Sequence, residues 1–169
     1  MAGVVIPTAR LGLMLQTPEQ VLAWVESLPP TDRAEVSADW IARVRSTAAG
    51  DPWSLSFTVV DRATGSTVGG CAFKGPPDAD GMVEVAYGTD ERHRGRGYAT
   101  EAAGALVRFA FASGRVRIVR AHCKPDNVAS ARVLAKCGFT PVGEVVDPED
   151  GLVRRWERRH AEPPPAAER

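Results

Sequence analysis

Cysteine is scarce in this chain and odd in number: Cys71, Cys123 and Cys137 are the only three among 169 residues. They fall inside candidate strands and a helix, without the spacings that hold a metal and without an even count for a disulfide framework. They are read as small core residues in a reducing compartment, and no metal is expected. Charge of one sign is missing too. Lys and Arg number 21 and Asp and Glu also 21, so the overall balance points to neither nucleic acid nor a membrane surface as partner. Long apolar runs are absent. The first apolar stretch, Leu11 to Leu15, is too brief for a signal peptide or a membrane span, and a cytoplasmic protein is expected.

Two nucleotide-binding signatures are lacking as well. No Gly-Lys-Ser/Thr sequence supplies a P-loop. The dinucleotide fingerprint G-x-G-x-x-G breaks where Thr100 stands in place of its third glycine. What is present is a strand-like run ending near Thr89, a basic turn from Arg92 to Gly97, and a strongly patterned helix. That order builds an anion site. The first N–H groups of a helix have no intrahelical partner, and the macrodipole places partial positive charge there. Gly95 and Gly97 allow close backbone approach, and Arg92, Arg94 and Arg96 add forked donors suited to phosphate oxygens. From Arg92 to Arg132 the chain holds eight arginines and one lysine against Glu101 and Asp126. A polyanionic ligand fits that imbalance; a solvated arginine-rich surface is the alternative. His93, inside the turn, reads as a surface residue beside the phosphates.

These residues carry a resemblance. Arg92-x-x-Gly95-x-Gly97 followed by Tyr98-Ala99 resembles the acetyl-CoA-binding signature of the GCN5-related N-acetyltransferase (GNAT) superfamily. The wider block from Glu84-Val-Ala-Tyr87 to Thr-Glu-Ala102 resembles its ribosomal-protein alanine acetyltransferase subgroup, of the RimJ/RimL type. Downstream, Asn127-Val-Ala-Ser130 with the closing Gly138-Phe139 is similar to that subgroup's Asn-x-x-Ser helix.

The length suits one domain, expected over residues 1–160, with a disordered Pro-rich tail at 161–169. Arg10 to Leu15 reads as a strand. Thr17-Pro-Glu-Gln20 opens a helix with a capping box and apolar face Val21, Leu22, Val25 and Leu28. A second helix is expected to bury Ser37, Trp40, Ile41, Val44 and Ala48 and to end at Gly50. Alternation from Trp53 to Val59 predicts a strand, followed by strands at Thr67 to Phe73 and Met82 to Thr89. The helix after the glycine turn buries Ala99, Ala102, Ala103, Leu106, Val107, Ala110 and Phe111. A strand at Val116 to Cys123, a helix at Asn127 to Cys137 and a hairpin (Phe139 to Val146, Leu152 to Glu157) complete the chain. This α/β order matches the family, whose resemblance implies a mixed, mostly antiparallel sheet splayed in the middle and flanked by about four helices. Gly88 and Pro125, poor at sheet pairing, end two central segments and are consistent with such a gap.

The resemblance implies acetyl-CoA as acyl donor, a primary amine as acceptor, and a ternary complex. Tyr87, Gly88 and Thr89 would offer backbone N–H to the thioester. Arg92, Arg94, Gly95, Arg96, Gly97, Tyr98 and Ala99 would hold the pyrophosphate, and Asn127 the pantetheine arm. Glu84 and His122 are the candidate bases; a sheet-end ion pair and a satisfied structural histidine are their plainer readings. Ser130 is the candidate proton donor to the departing thiolate. Its hydroxyl lies on the inward line Ser130, Val133, Leu134, Cys137, so it pairs with a carbonyl one turn back or with a ligand. Asn127 also stands where a helix N-cap belongs.

No motif covers Glu19 to Gly50 or Val145 to Arg155, where the family shapes its acceptor site. Over the first stretch and its end at Asp51, Glu26, Asp32, Glu35, Asp39 and Asp51 outnumber the three basic residues, which would favour a cationic amine: a peptide N-terminus or a small molecule. A homodimer is left open. A non-catalytic acyl-CoA-binding sensor or subunit is the runner-up. A nucleic-acid module reading phosphates through the arginine turn lacks aromatic interleaving and net basic charge.

Overall fold

The structure, a computed structural model, describes residues 3–161. All of the expected tail except Ala161 lies outside them. Two short strands open the fold, β1 (Val5–Pro7) and β2 (Leu11–Leu15). Only the second is expected from the sequence, because three residues are too few to show a period. Helix α1 (Pro18–Ser27) follows; Thr17 accepts from the Gln20 N–H, Gln20 answers in the reciprocal capping box, and Val21 and Val25 are buried.

The second helix is corrected by the structure. Pro30 starts a one-turn helix, α2 (Pro30–Ala34), because proline is already set at a helical φ and has no N–H to lose at a helix start. Ser37 then accepts from the Trp40 N–H and caps α3 (Ala38–Ser46), rather than being buried in a longer helix. Only Val44 of α3 is fully buried, and Ala48 is exposed. Among the described residues there are thus five α-helices, the one-turn α2 being added to the about four expected. Trp53 and Leu55 are buried as anticipated, but in a turn ahead of β3 (Phe57–Asp61). Side-chain alternation had extended the strand backwards through it.

The remaining elements agree closely with the periodicity: β4 (Thr67–Phe73), β5 (Met82–Thr89), a 3-10 turn at Glu91–His93, α4 (Tyr98–Ala112), β6 (Ile118–Cys123), α5 (Val128–Lys136), and the hairpin β7 (Thr140–Asp147) and β8 (Gly151–Arg159). The eight strands run in the order β1-β2-β3-β4-β5-β6-β8-β7. Every pairing is antiparallel except β5 with β6. That parallel pairing covers only Met82–Glu84 against Ile118–Arg120. Beyond it the two strands part, and the sheet opens between Val85–Thr89 and Ala121–Cys123.

Helix α4 carries the principal core. Ala102, Ala103, Ala105, Leu106, Val107 and Ala110 are almost wholly buried with Val83, Val85, Val119, Leu134 and Phe139. Small residues at its start let the helix lie close to β5, which brings its N-terminus to the mouth of the opening. A satellite cluster of Val21, Val44 and Leu55 ties α1 and α3 to the rest. Cys71, Cys123 and Cys137 are buried and free, and burial pushes the Cys71 thiol up to about 12. Among the described residues no helix is long and apolar enough to cross a membrane, and no group of ligating side chains could hold a metal ion.

Candidate active site

The parting of β5 from β6 decides which main-chain groups are available. The Lys74 N–H donates to the Glu84 carbonyl and the Asp90 N–H to the Val68 carbonyl, both at 2.8 Å. In an antiparallel ladder consecutive residues alternate sides. The even-numbered residues of β5 are therefore paired with β4, while Val85, Tyr87 and Thr89 turn their N–H and C=O groups toward the gap. A cleft of about 340 Å³ occupies it, bounded by Glu84, Tyr87, His122, Asn127 and Ser130 among others.

Beyond the C-terminal end of β5 stands the glycine turn expected to hold an anion. Gly95 (φ +76°) and Gly97 (φ +81°) both adopt the left-handed conformation, which residues with a Cβ enter only at a cost. A Cβ on Gly95 would meet no protein atom within 4 Å, so the space beside it is open. Gly97 is the N-cap of α4 and offers no side chain to the first N–H groups, leaving them for a ligand. Arg92, Arg94 and Arg96 are exposed around it, and Arg94 Nε donates to the Thr89 carbonyl at 3.3 Å. These features fit a pyrophosphate. Tyr98 turns its ring into the core and donates its hydroxyl to Asp61 Oδ2 at 2.7 Å; it can offer a ligand only its main chain. Ala99 is partly buried in the same first turn. His93 is partly buried rather than on the surface, and its Nδ1 has no partner among the described residues. A wider hollow of about 540 Å³ borders Thr67 and Asp90 to His93. It contains none of the acid–base groups.

The turn is braced from behind by residues that no motif marked. Arg10 Nε pairs with Glu101 Oε1 at 2.8 Å, and Arg10 Nη1 donates to the Arg96 carbonyl at 2.9 Å. Its guanidinium lies 4.8 Å from the centre of the Tyr98 ring. Thr8 Oγ1 donates to Glu101 Oε2. Burial pushes the Glu101 carboxyl up, but hydrogen bonds from Thr8 and Arg10 outweigh it and hold the group below its ordinary value.

Glu84 and His122 are brought together. Both project from the same face of adjacent strands, and His122 Nδ1 is hydrogen-bonded to Glu84 Oε1. The glutamate side chain keeps 21% of its surface accessible and the histidine only 11%. On the far side, Arg155 Nε donates to His122 Nε2 at 3.1 Å. The histidine thus has no ring nitrogen free to receive a proton from an acceptor. Lys74 Nζ lies 3.9 Å from Glu84 Oε1. Both of these contacts fall on Oε1, and Oε2 makes no hydrogen bond among the described residues.

Ser130 is placed by the helix that Asn127 starts: the Asn127 side chain accepts from the Ser130 N–H at 3.0 Å. The Ser130 hydroxyl has a partner that the sequence did not suggest. It lies 2.8 Å from the Tyr87 hydroxyl. Burial pushes the Tyr87 phenol up to about 12, so it remains protonated at neutral pH. The sequence points to Tyr87 for its backbone alone. It sits on the opposite face of β5 from Glu84, yet the opening is deep enough to reach both faces. Arg155 and Lys74 were likewise missed; they belong to a hairpin and a strand end that carry no motif.

Comparison with known proteins places this geometry. Residues 8–140 match the acetyltransferase (GNAT) domain family. An uncharacterised N-acetyltransferase of Bacillus subtilis, YjdG, is 38% identical over 84 residues, half of each chain. The chain spans about half the length of the curated relatives it matches. The fold is shared with the Salmonella typhimurium acetyl transferase that modifies the N-terminal serine of ribosomal protein L7/L12 (TM-score 0.69, 18% identity, 94% of this chain and 100% of that one). It is shared too with the aminoglycoside acetyltransferase AAC(6')-Ib bound to coenzyme A and kanamycin (TM-score 0.63, 20% identity, 88% and 94%). With the family covering most of the chain, from β2 through the glycine turn to the Asn-x-x-Ser helix, the protein belongs to the GNAT acetyltransferase domain family.

Proposed function

We propose that this chain is an acetyl-CoA-dependent N-acetyltransferase acting on a primary amine by direct attack, with donor and acceptor held together. One observation carries the reading: the cleft where β5 parts from β6 holds both a glutamate with an unengaged oxygen and a paired hydroxyl donor, and β5 leads on into a helix N-terminus suited to phosphates. Acetyl-CoA would be held by the backbone of residues 92–98, by Arg92, Arg94 and Arg96, by main-chain groups of Tyr87 and Thr89, and by Asn127. When bound, it supplies an acyl group already activated as a thioester. No metal enters the scheme.

The chain's own tasks are then three. Glu84 Oε2 takes the proton of the acceptor ammonium, directly or through water, so that a neutral amine can attack. The N–H groups of Tyr87 and Thr89 face the gap, where they polarise the carbonyl. Ser130 gives its hydroxyl proton to the departing thiolate and takes one from the Tyr87 hydroxyl 2.8 Å away, and Tyr87 regains a proton from water. His122, engaged at both nitrogens, serves Glu84 rather than competing with it.

The acceptor is a peptide N-terminus or a small-molecule amine. The two solved relatives, one acting on a ribosomal-protein N-terminus and one bound to an aminoglycoside, span both classes. A cytoplasmic setting belongs to this reading, in keeping with free cysteines. The test is incubation with acetyl-CoA against parallel panels of N-terminal peptides and small amines, following free thiol. Amine-dependent release that Glu84→Gln diminishes is the expected result. Tight acetyl-CoA binding without release for any amine would favour the acyl-CoA sensor instead.

A further inference from the structure

Arg155 lies on β8, in the hairpin, and has no place in the scheme above. The sheet register brings it there. His122 of β6 is the cross-strand partner of Arg155, and Arg120 that of Glu157. On the other side of β6, Glu84 of β5 is in register with Arg120, one pair from His122. Side chains on one face thus form a row running from Glu84 through His122 to Arg155, across three strands.

Donor and acceptor chemistry then decides the tautomer. A guanidinium has only donors. Arg155 Nε, 3.1 Å from His122 Nε2, therefore requires a lone pair on that nitrogen, and the ring proton must sit on Nδ1. From there it is donated to Glu84 Oε1. The Glu84 carboxylate, itself only an acceptor, asks for the same Nδ1–H. What Arg155 adds is that Nε2 is kept unprotonated, since without it that nitrogen is free to gain a second ring proton and the ring then donates from both sides.

We infer that Arg155 is a positioning residue: it holds His122 in the Nδ1–H tautomer, and His122 in turn fixes Glu84 with Oε1 engaged and Oε2 directed to the acceptor amine. The inference rests on the acetyltransferase reading for its consequence, though not for its geometry. It also links the hairpin to the base, so hairpin substitutions alter proton removal as well as acceptor shape.

The experiment uses the full chain and three forms: wild type, Arg155→Met, which keeps the stem and removes every donor, and Arg155→Lys, which restores one. Long-range proton–nitrogen correlation spectra read the His122 tautomer. With only His93, His122 and His160 in the chain, a His122→Gln spectrum assigns it. The wild type is expected to show a protonated Nδ1 and an acceptor Nε2. Arg155→Met should lose that single tautomer and lower kcat about 10-fold with KM for acetyl-CoA unchanged, and Arg155→Lys should recover most of both. An unaltered tautomer in Arg155→Met overturns the inference, whatever the activity. So does a changed tautomer with wild-type kcat. If no amine is acetylated by any form, the acetyltransferase reading fails separately, and the spectra still decide what Arg155 does to His122.

Discussion

The hydroxyls of Tyr87 and Ser130 lie 2.8 Å apart, one from a strand and one from a helix, across the opening of the sheet. The phenol remains protonated at neutral pH, because burial pushes it up to about 12. A protonated donor resupplying a serine hydroxyl is a short proton path to a leaving thiolate. Ser130→Ala should lower kcat about 100-fold, the low end of what general acid assistance provides, since a thiolate already leaves tolerably unaided. Acetyl-CoA affinity should change little, one neutral hydrogen bond being worth about 0.5–1.5 kcal/mol. Tyr87→Phe should act in the same direction. The double variant should cost scarcely more than the worse single one if the two hydroxyls work as a unit. Wild-type turnover in a stable, cofactor-binding Ser130→Ala protein would remove both from the mechanism.

Glu84→Gln is expected to reduce turnover most at mildly acidic to neutral pH and least at high pH, where the acceptor amine is already deprotonated. The loss at neutral pH should fall within the range of about 100- to 10,000-fold typical of general base catalysis. A parallel, pH-independent reduction would mean that Glu84 only shapes the cleft.

Gly95 is the cleaner probe of the phosphate turn. Its φ is +76°, but a Cβ there would touch no protein atom. Gly95→Val should therefore cost the fold only backbone strain while projecting a side chain into the open space beside the α4 N-terminus. Acetyl-CoA affinity measured by calorimetry should fall at least 10-fold. Binding at wild-type strength would displace the pyrophosphate from this turn.

The Thr8–Arg10–Glu101 brace predicts acid sensitivity. Glu101 is held below its ordinary value of 4.5, against the push of burial, by hydrogen bonds from Thr8 and Arg10. A carboxylate depressed in the folded state contributes stability above its unfolded value. That contribution is lost as pH falls through the folded one. Melting temperature should thus drop as pH descends from about 5 toward 3. Glu101→Gln should melt lower at pH 7 and show a shallower acid decline. If wild type and variant decline in parallel, the brace is not ionic.

Much of the architecture was legible because it depends on short-range rules. The capping box at Thr17, the period of α4 and the strands β4 and β5 each follow from residues a few positions apart. Glycine at 95 and 97 before a patterned helix likewise announces a helix N-terminus open to anions. The errors occurred where short-range rules compete. Pro30 and Ser37 each start a helix within what reads as one, and Trp53 and Leu55 keep strand alternation inside a turn.

The site itself was divided. Glu84, Asn127 and Ser130 could be named from sequence because local patterns and the family resemblance single them out. Which of the named residues touch, and what else touches them, could not. That Tyr87 meets Ser130 depends on how far β5 parts from β6. That Arg155 meets His122 depends on which residues of β6 and β8 fall opposite each other. Residue order along a chain states which side of a strand a side chain leaves from; pairing between strands dozens of residues apart is settled only when the core closes around α4 and selects one register. The chain's own order thus determined the elements and the chemical groups available, while tertiary packing decided which of those groups would touch.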